Sequence, residues 1–350
     1  MMRANRLLAV PTDGAGDTAS VEKALSAAGL DIGTVTAVMC MTEGDGGGRG
    51  YAALALGDLW RRLTGHDPAI PFLMIGGCCG LVSPYAGLFI DDPAVEWVAA
   101  GDPRGGGMAV GVAVTPPLPA VDVGTLVMVD AVADAVRGAM ASAGIDSATD
   151  VHSVQVKGPW PMVGVPDPNR AGALSRAAGA LGAACAVGEV DRSRLTDADL
   201  ATNWTLQSDV ASVSSGNEMA GAAVLVIGNS PTSTSPFRAG HAVLADGIDA
   251  GGVRAALRSA GLADSADLSG PDNPVAHAFV KSAVDLAGEC RGRRHVLGSD
   301  YLAPYGWLIG KAVIHATVAS ITGDPLMQVS GGAEHQGPRG GGLLAVIVRR

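Results

Sequence analysis

Apolar residues recur at helical spacing in three segments of the chain, and each segment is closed by a glycine. These segments are residues 20–28, 129–141 and 251–259. Apolar side chains three and four positions apart form one buried face of a helix, and glycine commonly follows the last helical residue. The signature alanine, glycine, aliphatic then follows at residues 28–30, 143–145 and 260–262. The pattern predicts three amphipathic helices at corresponding places in the chain.

Strand-like segments accompany these helices. Val110, Val112 and Val114 alternate with small residues, and residues 222–227 form a continuous apolar run. Strand, helix, strand recurs in each third of the chain, with a period of roughly 115 to 125 residues. Segments rich in glycine, serine and proline separate the copies at residues 101–107 and 229–236. We predict an α/β protein of three similar units that pack as one body, with boundaries at residues 1–104, 108–236 and 239–350.

The composition is sufficient for a large apolar core and argues against nucleic acid and membranes as partners. Of the 350 residues 48% are hydrophobic and 50 are glycine, while the net charge of −10 argues against nucleic acid as a partner. No apolar run approaches the roughly 20 residues that cross a bilayer, and the apolar stretch near the N-terminus is too short for a signal peptide. Five cysteines without metal-ligand spacing favour a reducing compartment. We expect a cytoplasmic protein without a membrane partner.

A serine beside a glycine occurs twice in nearly the same context. The middle of the chain carries SSGNE at residues 214–218, and its end carries SGGAE at residues 330–334. A strand-like run that closes with a lysine, Lys157 or Lys281, precedes each of them. A serine nucleophile with a lysine base is sufficient for amide hydrolysis, provided that burial or nearby cations keep the lysine neutral. We therefore predict two serine-lysine pairs, with each serine on a tight turn.

The first third of the chain carries an incomplete copy of this pattern. Met41 stands where the other copies have lysine, and Ile75, followed by Gly76, stands where they have serine. Taken alone, a Ser-Ser-Gly segment is most often a plain loop, and a lysine at a strand end most often points to solvent. The recurrence of both at matching spacing favours a functional interpretation.

Five segments together resemble a known family, the ring-opening cyclic amide hydrolases, which comprise cyanuric acid hydrolases and barbiturases. The segments are residues 151–157, 175–182, 211–216, 291–295 and 330–338. The resemblance covers nearly the whole chain. It implies three α/β units around a pseudo-threefold axis, with the strands in a central β-barrel and the helices outside, and a homotetramer.

The resemblance also implies roles for individual residues around one small cyclic imide. Ser214 would attack a ring carbonyl, Lys157 would take its proton, and Arg176 would grip a ring oxygen. The backbone N–H of Ser215 would hold the developing oxyanion. Further substrate-binding positions would come from all three units, namely Arg49, Ile75, Gly76, Lys281, Lys311, Ser330 and Gly331.

Departures from the family pattern bear on the substrate. Met41 and Ile75 make one edge of the predicted pocket apolar, and Lys311 stands in an arginine position without the flat, two-pronged contact of arginine. A polar substrate edge buried against apolar side chains costs about 1–3 kcal/mol. We therefore expect a cyclic imide or ureide with a hydrocarbon edge, such as a barbiturate-like ring, rather than cyanuric acid itself. The alternative is a catalytically silent protein that keeps the pocket and binds a ring without opening it.

The third unit also contains a loop that resembles the family's structural metal loop. Its backbone carbonyls would surround a hard cation, Mg²⁺ or Ca²⁺, and belong to Ala333, Gln336, Gly337, Pro338 and Gly341. Asp285 and Glu289 are candidates for the carboxylate ligand, and the alternative is a glycine-rich turn without an ion. No cofactor is expected for catalysis, because a metal-dependent hydrolase requires histidine and carboxylate ligands at intervals that this sequence lacks.

Overall fold

The computed structural model describes residues 4–43, 47–92, 106–282 and 288–350, which form three α/β units in succession. The first unit consists of β1 (Asn5–Pro11), α1 (Thr18–Ala27), β2 (Val35–Thr42), α2 (Gly47–Thr64), β3 (Phe72–Gly76) and β4 (Tyr85–Asp91). The second consists of β5 (Gly107–Val114), α3 (Leu126–Ala143), β6 (Val151–Pro159), α4 (Pro168–Val187), β7 (Ala211–Gly216) and β8 (Ala223–Ser230). The third consists of β9 (Phe237–Leu244), α5 (Ala250–Ser259), β10 (Val275–Ser282), β11 (Glu289–Cys290), β12 (Arg293–Arg294), α6 (Gly306–Thr322), β13 (Gln328–Gly331) and β14 (Gly342–Arg349).

Each unit contains a four-stranded sheet with the same strand order. The orders are β1-β4-β2-β3, β5-β8-β6-β7 and β9-β14-β10-β13. In every sheet the two strands on either side of the second helix are parallel, and the other neighbours are antiparallel. Parallel neighbours need a crossover connection, which the second helix supplies. The prediction of three similar α/β units is confirmed.

The helices predicted from the apolar pattern are α1, α3 and α5. Asp17, Thr125 and Asp249 cap their N-termini, because each side chain accepts a hydrogen bond from a backbone N–H of the first turn. A glycine with a positive φ lies just beyond each C-terminus, a conformation that glycine adopts without strain. Local sequence signals therefore fix both ends of these helices.

The second helix of each unit does not show this pattern, and α4 illustrates why. Eleven of its residues are buried, so it has no polar face and no amphipathic period. A Cβ on Gly179 would lie 2.7 Å from Val213 Cγ1, and a Cβ on Gly182 would lie 2.7 Å from the Val129 carbonyl oxygen. Gly179 therefore allows α4 to pack closely against β7, the strand that carries Ser214, and Gly182 allows it to pack closely against α3.

The three sheets share an apolar core but stay separate in their backbone hydrogen bonding. Among the described residues no strand of one sheet forms a ladder with a strand of another, so the closed β-barrel expected from the sequence is not found there. The side chain of Asn5 instead accepts a hydrogen bond from the Val110 N–H at 2.9 Å, which joins β1 to β5 without backbone pairing. The largest apolar cluster includes Phe89, Leu225 and Phe279, one from each sheet.

Of the two predicted boundaries between units, only the second lies wholly within the described residues. Residues 101–105 of the first lie outside the described residues. The second connects β8 to β9 and is anchored to the second unit, because Ser233 Oγ donates a hydrogen bond to the Met108 carbonyl at 2.6 Å. Within the described ranges, no helix has the length and apolar character to cross a membrane.

Candidate active site

A cavity of about 410 Å³ opens beside the last residues of β3, β7 and β13. Its lining includes most of the predicted site residues: Arg49, Ile75, Gly76, Lys157, Arg176, Ser214, Ser215, Lys311, Ser330 and Gly331. Lys281 lies behind Ser330, with its Nζ 3.0 Å from Ser330 Oγ. The fold thus brings residues from all three units to one site.

The serine-lysine pairs occupy the same rung in two of the sheets. Lys157 on β6 is the parallel partner of Ser214 on β7, and Lys281 on β10 is the partner of Ser330 on β13. In the first sheet the corresponding partners are Met41 and Ile75. The serines lie near the ends of short strands rather than on the tight turns predicted for them, because the parallel ladder extends as far as these residues.

Lys281 has the surroundings of a base. Its side chain is fully buried, and Nζ contacts the carbonyl oxygens of Val213 and Gly331 as well as Ser330 Oγ. Burial holds the pKa of Lys281 well below its usual value, and the charges of Arg176 and two other cations lower it further. The Lys281 Nζ donates to the two carbonyls and lies within hydrogen-bond distance of Ser330 Oγ, and in its neutral form it has a lone pair that can accept a hydrogen bond from this hydroxyl.

Lys157 has different partners, although its position is equivalent. Nζ donates to the carbonyl oxygens of Met74 at 2.6 Å and Ser215 at 3.2 Å, and it lies 3.2 Å from the Glu218 carboxylate. Two carbonyl acceptors and a carboxylate at ion-pair distance suit the ammonium form. Ser214 Oγ is buried and has no hydrogen-bond partner among the described residues. The two pairs therefore differ in their hydrogen bonds.

Two inter-unit ion pairs border the cavity. Arg176 of the second unit binds both oxygens of Glu334 in the third, at 2.7 and 2.8 Å. Arg49 of the first unit approaches Glu218 of the second, with Nε 3.5 Å from Oε1. Burial by itself raises the pKa of Glu334, but the hydrogen bonds and charge of Arg176 outweigh it and hold the pKa below its usual value. Each glutamate follows the serine of its unit by four residues.

Glycines in the repeated motif make room for these ion pairs. A Cβ on Gly216 would collide with the Glu218 carboxylate. A Cβ on Gly332, whose φ is 70°, would lie 2.6 Å from Arg176 Nε. The motif therefore contains glycine because a charged side chain occupies the space of a Cβ.

The apolar side of the cavity differs from the predicted one. Ile75 lines the cavity as expected, but Met41 does not. Met41 is 1% exposed and belongs to the apolar core with Tyr85, because its uncharged side chain is satisfied by apolar neighbours. Trp307 on α6 completes the apolar side, and it lies one helical turn before Lys311 on the same face.

Lys311 joins the third unit to the first. Its Nζ donates to the Gly77 carbonyl oxygen at 2.6 Å, and it lies 5.8 Å from the centroid of the Trp307 ring. The residue four positions after Ile75 is Cys79, where the other units have glutamate. At the third junction, the contacts among described residues thus join a lysine to backbone carbonyls, where the other two junctions have arginine-glutamate pairs.

The loop predicted to hold a cation forms a tight turn along Ala333, Gln336, Gly337, Pro338 and Gly341. The Ala333 carbonyl accepts a hydrogen bond from the Gln336 N–H, and the Pro338 carbonyl accepts one from the Gly341 N–H, both at 3.1 Å. Gly337 has a φ of 82°. Two of the five carbonyls expected as ligands are thus engaged within the turn.

A carboxylate for this loop is not found in the described part of the chain. Glu334 is held by Arg176, Glu289 is exposed on β11, and Asp285 lies outside the described residues. The described ranges also contain no group of three or more histidine, cysteine, aspartate or glutamate residues arranged to hold a metal ion. The described donors by themselves lack the anionic oxygen that Mg²⁺ and Ca²⁺ bind preferentially, and no step below involves a metal.

Six residues of the site lie beyond the sequence-based prediction. Trp160, Asn169, Trp307 and Gly332 line the cavity, and Glu218 and Glu334 bind its cations. The recurrence of glutamate four residues after each serine was a usable signal for the last two. Trp307 also carries a signal, because its spacing from Lys311 places both on one helix face.

Comparisons with known proteins match almost the whole length of the chain. Residues 6–349 match the family model described as amidohydrolase ring-opening protein. A cyclic amide hydrolase of Rhodococcus sp is 58% identical over 347 residues, which cover 95% of this chain and 99% of that protein. Barbiturase 2 of Nocardioides sp. is 34% identical over 373 residues, which cover 99% of each. A solved structure of a cyanuric acid hydrolase has a TM-score of 0.92 and 33% identity, with 100% of both chains covered.

The chain belongs to the family of ring-opening amidohydrolases, and the family resemblance inferred from its motifs is confirmed. It is accordingly an enzyme of the class that hydrolyses C–N bonds. The relatives carry three different names, cyclic amide hydrolase, barbiturase and cyanuric acid hydrolase. Family membership therefore gives the type of reaction, and the substrate has to be argued from the site.

Proposed function

We propose that this protein opens a small cyclic imide or ureide by serine-lysine catalysis. Ser214 attacks a ring carbonyl while Lys157, as an amine, takes the hydroxyl proton. The ring C–N bond breaks, the ring nitrogen takes up a proton, and water then hydrolyses the acyl-serine. The observation that carries the proposal is the shared rung of Lys157 and Ser214 at a cavity lined by residues of all three units.

Charge around the cavity supports the same chemistry. Arg49, Arg176, Lys157 and Lys311 line it, and the two glutamates are each engaged by an arginine. Preorganised cations and N–H groups stabilise the negative charge that develops on a carbonyl oxygen under attack. A ring with acidic N–H groups also benefits, because its anion is attracted to the same cations.

The apolar side of the cavity supports a ring with a hydrocarbon edge. A ring edge that faces Ile75 and Trp307 finds no hydrogen-bond partner in the Ile75 side chain, and an unmet polar group there costs about 1–3 kcal/mol. Cyanuric acid is polar on all three edges, whereas a barbiturate-like ring has one carbon edge. Lys311 contributes a single amine where arginine would supply a fork. We therefore propose a barbiturate-like substrate class rather than cyanuric acid.

Several further properties remain proposals. The family resemblance implies the homotetramer, the pseudo-threefold axis and a structural Mg²⁺ or Ca²⁺ near the third-unit loop. The cysteine pattern favours a cytoplasmic location, and the segments rich in glycine, serine and proline give the three unit boundaries. The equal strand order of the three sheets supports the axis. The cation depends on a ligand from outside the described residues, with Asp285 as the candidate.

One observation favours the alternative of a silent ring-binding protein, namely that Ser214 Oγ has no hydrogen bond from Lys157. A panel of cyclic imides that includes barbiturate and cyanuric acid separates the two functions, with Ser214→Ala as the control. The enzyme opens at least one ring, and the variant loses that activity. Binding of rings by both proteins with no ring opening would establish the silent alternative.

A further inference from the structure

The same glutamate occupies equivalent places in the second and third units, but it has different partners there. Glu334 uses both carboxylate oxygens on Arg176, at 2.7 and 2.8 Å. Glu218 has no such two-pronged contact. Its Oε1 lies 3.5 Å from Arg49 Nε and 3.2 Å from Lys157 Nζ, and neither oxygen accepts a hydrogen bond among the described residues.

This difference accounts for the different states of the two serine-lysine pairs. Where the glutamate is occupied by arginine, the lysine is bonded to its serine, as in Lys281 and Ser330. Where the glutamate is held less tightly, it attracts the lysine, and Ser214 Oγ is left without a partner. The Glu218 side chain is 16% exposed and that of Lys157 is 1% exposed, so water screens their attraction only weakly.

We propose that Glu218 is a positioning residue that holds Lys157 as an ammonium, away from Ser214, and thereby sets the pH above which Ser214 becomes a nucleophile. This inference rests on the proposed function. Above that pH the ammonium releases a proton to solvent. The amine then accepts the Ser214 hydroxyl proton as Oγ bonds to the acyl carbon.

Most of the other charged groups at the site favour the neutral amine form of Lys157, in opposition to Glu218. They come from several elements: Arg49 on α2, Arg176 on α4, Lys281 on β10 and Lys311 on α6, with Glu334 after β13. Arg49, Arg176 and Lys311 favour the amine form of Lys157, burial disfavours the charged form of Lys281, and Glu334 is engaged by Arg176. Among the described residues, Glu218 is the carboxylate in direct contact with Lys157, so its neutralisation should shift Lys157 toward the amine form.

The test is the pH dependence of Ser214 acylation by p-nitrophenyl acetate, with the modified peptide identified by mass spectrometry. Glu218→Gln keeps the shape of the side chain and removes its charge. We expect the midpoint of the profile to move to lower pH by about one unit or more. Glu22→Gln on α1 is the matched control, because its carboxylate binds Arg62 at the surface and contacts no residue of the cavity, and its midpoint should stay with the wild type.

An unmoved midpoint in Glu218→Gln would overturn the inference. If no variant is acylated at Ser214, the proposed nucleophile is wrong, and a second measurement still decides the role of Glu218. Competitive acetylation with acetic anhydride reports the amine fraction of Lys157 directly. Its midpoint should fall in Glu218→Gln, and equal midpoints in the two proteins would refute the role of Glu218 whatever the nucleophile is.

Discussion

Lys281 Nζ lies 3.0 Å from Ser330 Oγ, on neighbouring parallel strands. Lys157 and Ser214 occupy the equivalent rung but are not hydrogen-bonded to each other. One arrangement of backbone therefore carries two different hydrogen-bonding arrangements of the same pair, which is the observation behind the role proposed for Glu218. The arrangement of the site leads to predictions about the stability of the protein, its substrate specificity and the identity of its nucleophile.

The lowered pKa of Lys281 predicts a pH-dependent stability difference. Its pKa lies below 10.5 in the folded protein, so between the folded and unfolded pKa values the unfolded chain binds more protons. Wild-type stability therefore gains up to about 1.4 kcal/mol per pH unit from this residue as the pH rises toward 10.5. Lys281→Met removes that gain, so its unfolding free energy relative to wild type should fall across the same range.

Urea denaturation at a series of pH values measures this difference. The offset at any one pH also contains the lost hydrogen bonds, so the slope is the diagnostic quantity. The exposed Lys23 on α1 provides the control, and Lys23→Met should give a flat difference. Equal slopes for the two variants would mean that Lys281 is charged in the folded protein.

Substitution of Ile75 should change the substrate specificity. Ile75→Ser places a hydroxyl at the apolar side of the cavity, where it can meet a polar ring edge. The kcat/KM for cyanuric acid, relative to that for the ring which the protein opens best, should rise about 10- to 100-fold, as expected for 1–3 kcal/mol. Met41→Leu should leave the ratio unchanged, because Met41 lies in the core. An unchanged ratio in Ile75→Ser would argue against an apolar subsite at this position.

Substitution of Gly332 tests whether the ion pair between Arg176 and Glu334 needs the space beside this glycine. Gly332→Ala introduces a Cβ at a φ of 70° and 2.6 Å from Arg176 Nε, so it both strains the backbone and displaces the arginine. Gly188→Ala is the control, because Gly188 has a φ of 81° and open space around its Cβ position. We expect about 1–2 kcal/mol of destabilisation for the control, and about 1–3 kcal/mol more for Gly332→Ala.

Chemical denaturation of both glycine variants gives the comparison. Ring opening by Gly332→Ala should also fall, since Arg176 lines the cavity, while Gly188→Ala should keep wild-type activity. Similar stability and activity in the two variants would show that the contact between Gly332 and Arg176 is not needed.

Much of the fold could be predicted from local signals and repetition. The helices α1, α3 and α5 have one buried face, a capping side chain and a terminal glycine, so their sequence carries a period. The helix α4 is buried on most of its surface and carries none. The joining of the three sheets depends on contacts such as that between Asn5 and Val110, which are 105 residues apart and leave no local pattern.

The site was predictable where it follows the repeat and unpredictable where units meet. The positions of Lys157 and Ser214 follow from the copy in the third unit, since both pairs use the same rung. The partners of Glu218 and Glu334 do not follow, because each arginine comes from the preceding unit. The inward position of Met41 is likewise set by packing against Tyr85, which the strand pattern alone does not specify.

The central claim is that Ser214 forms a covalent acyl intermediate with a cyclic imide. Rapid acid quenching during turnover, followed by peptide mass spectrometry, tests it directly. The account predicts an adduct of the opened ring on the peptide that contains Ser214, its loss in Ser214→Ala, and a fall in turnover on the order of 10⁴-fold or more. An adduct on Ser330, or undiminished ring opening by Ser214→Ala, would contradict it.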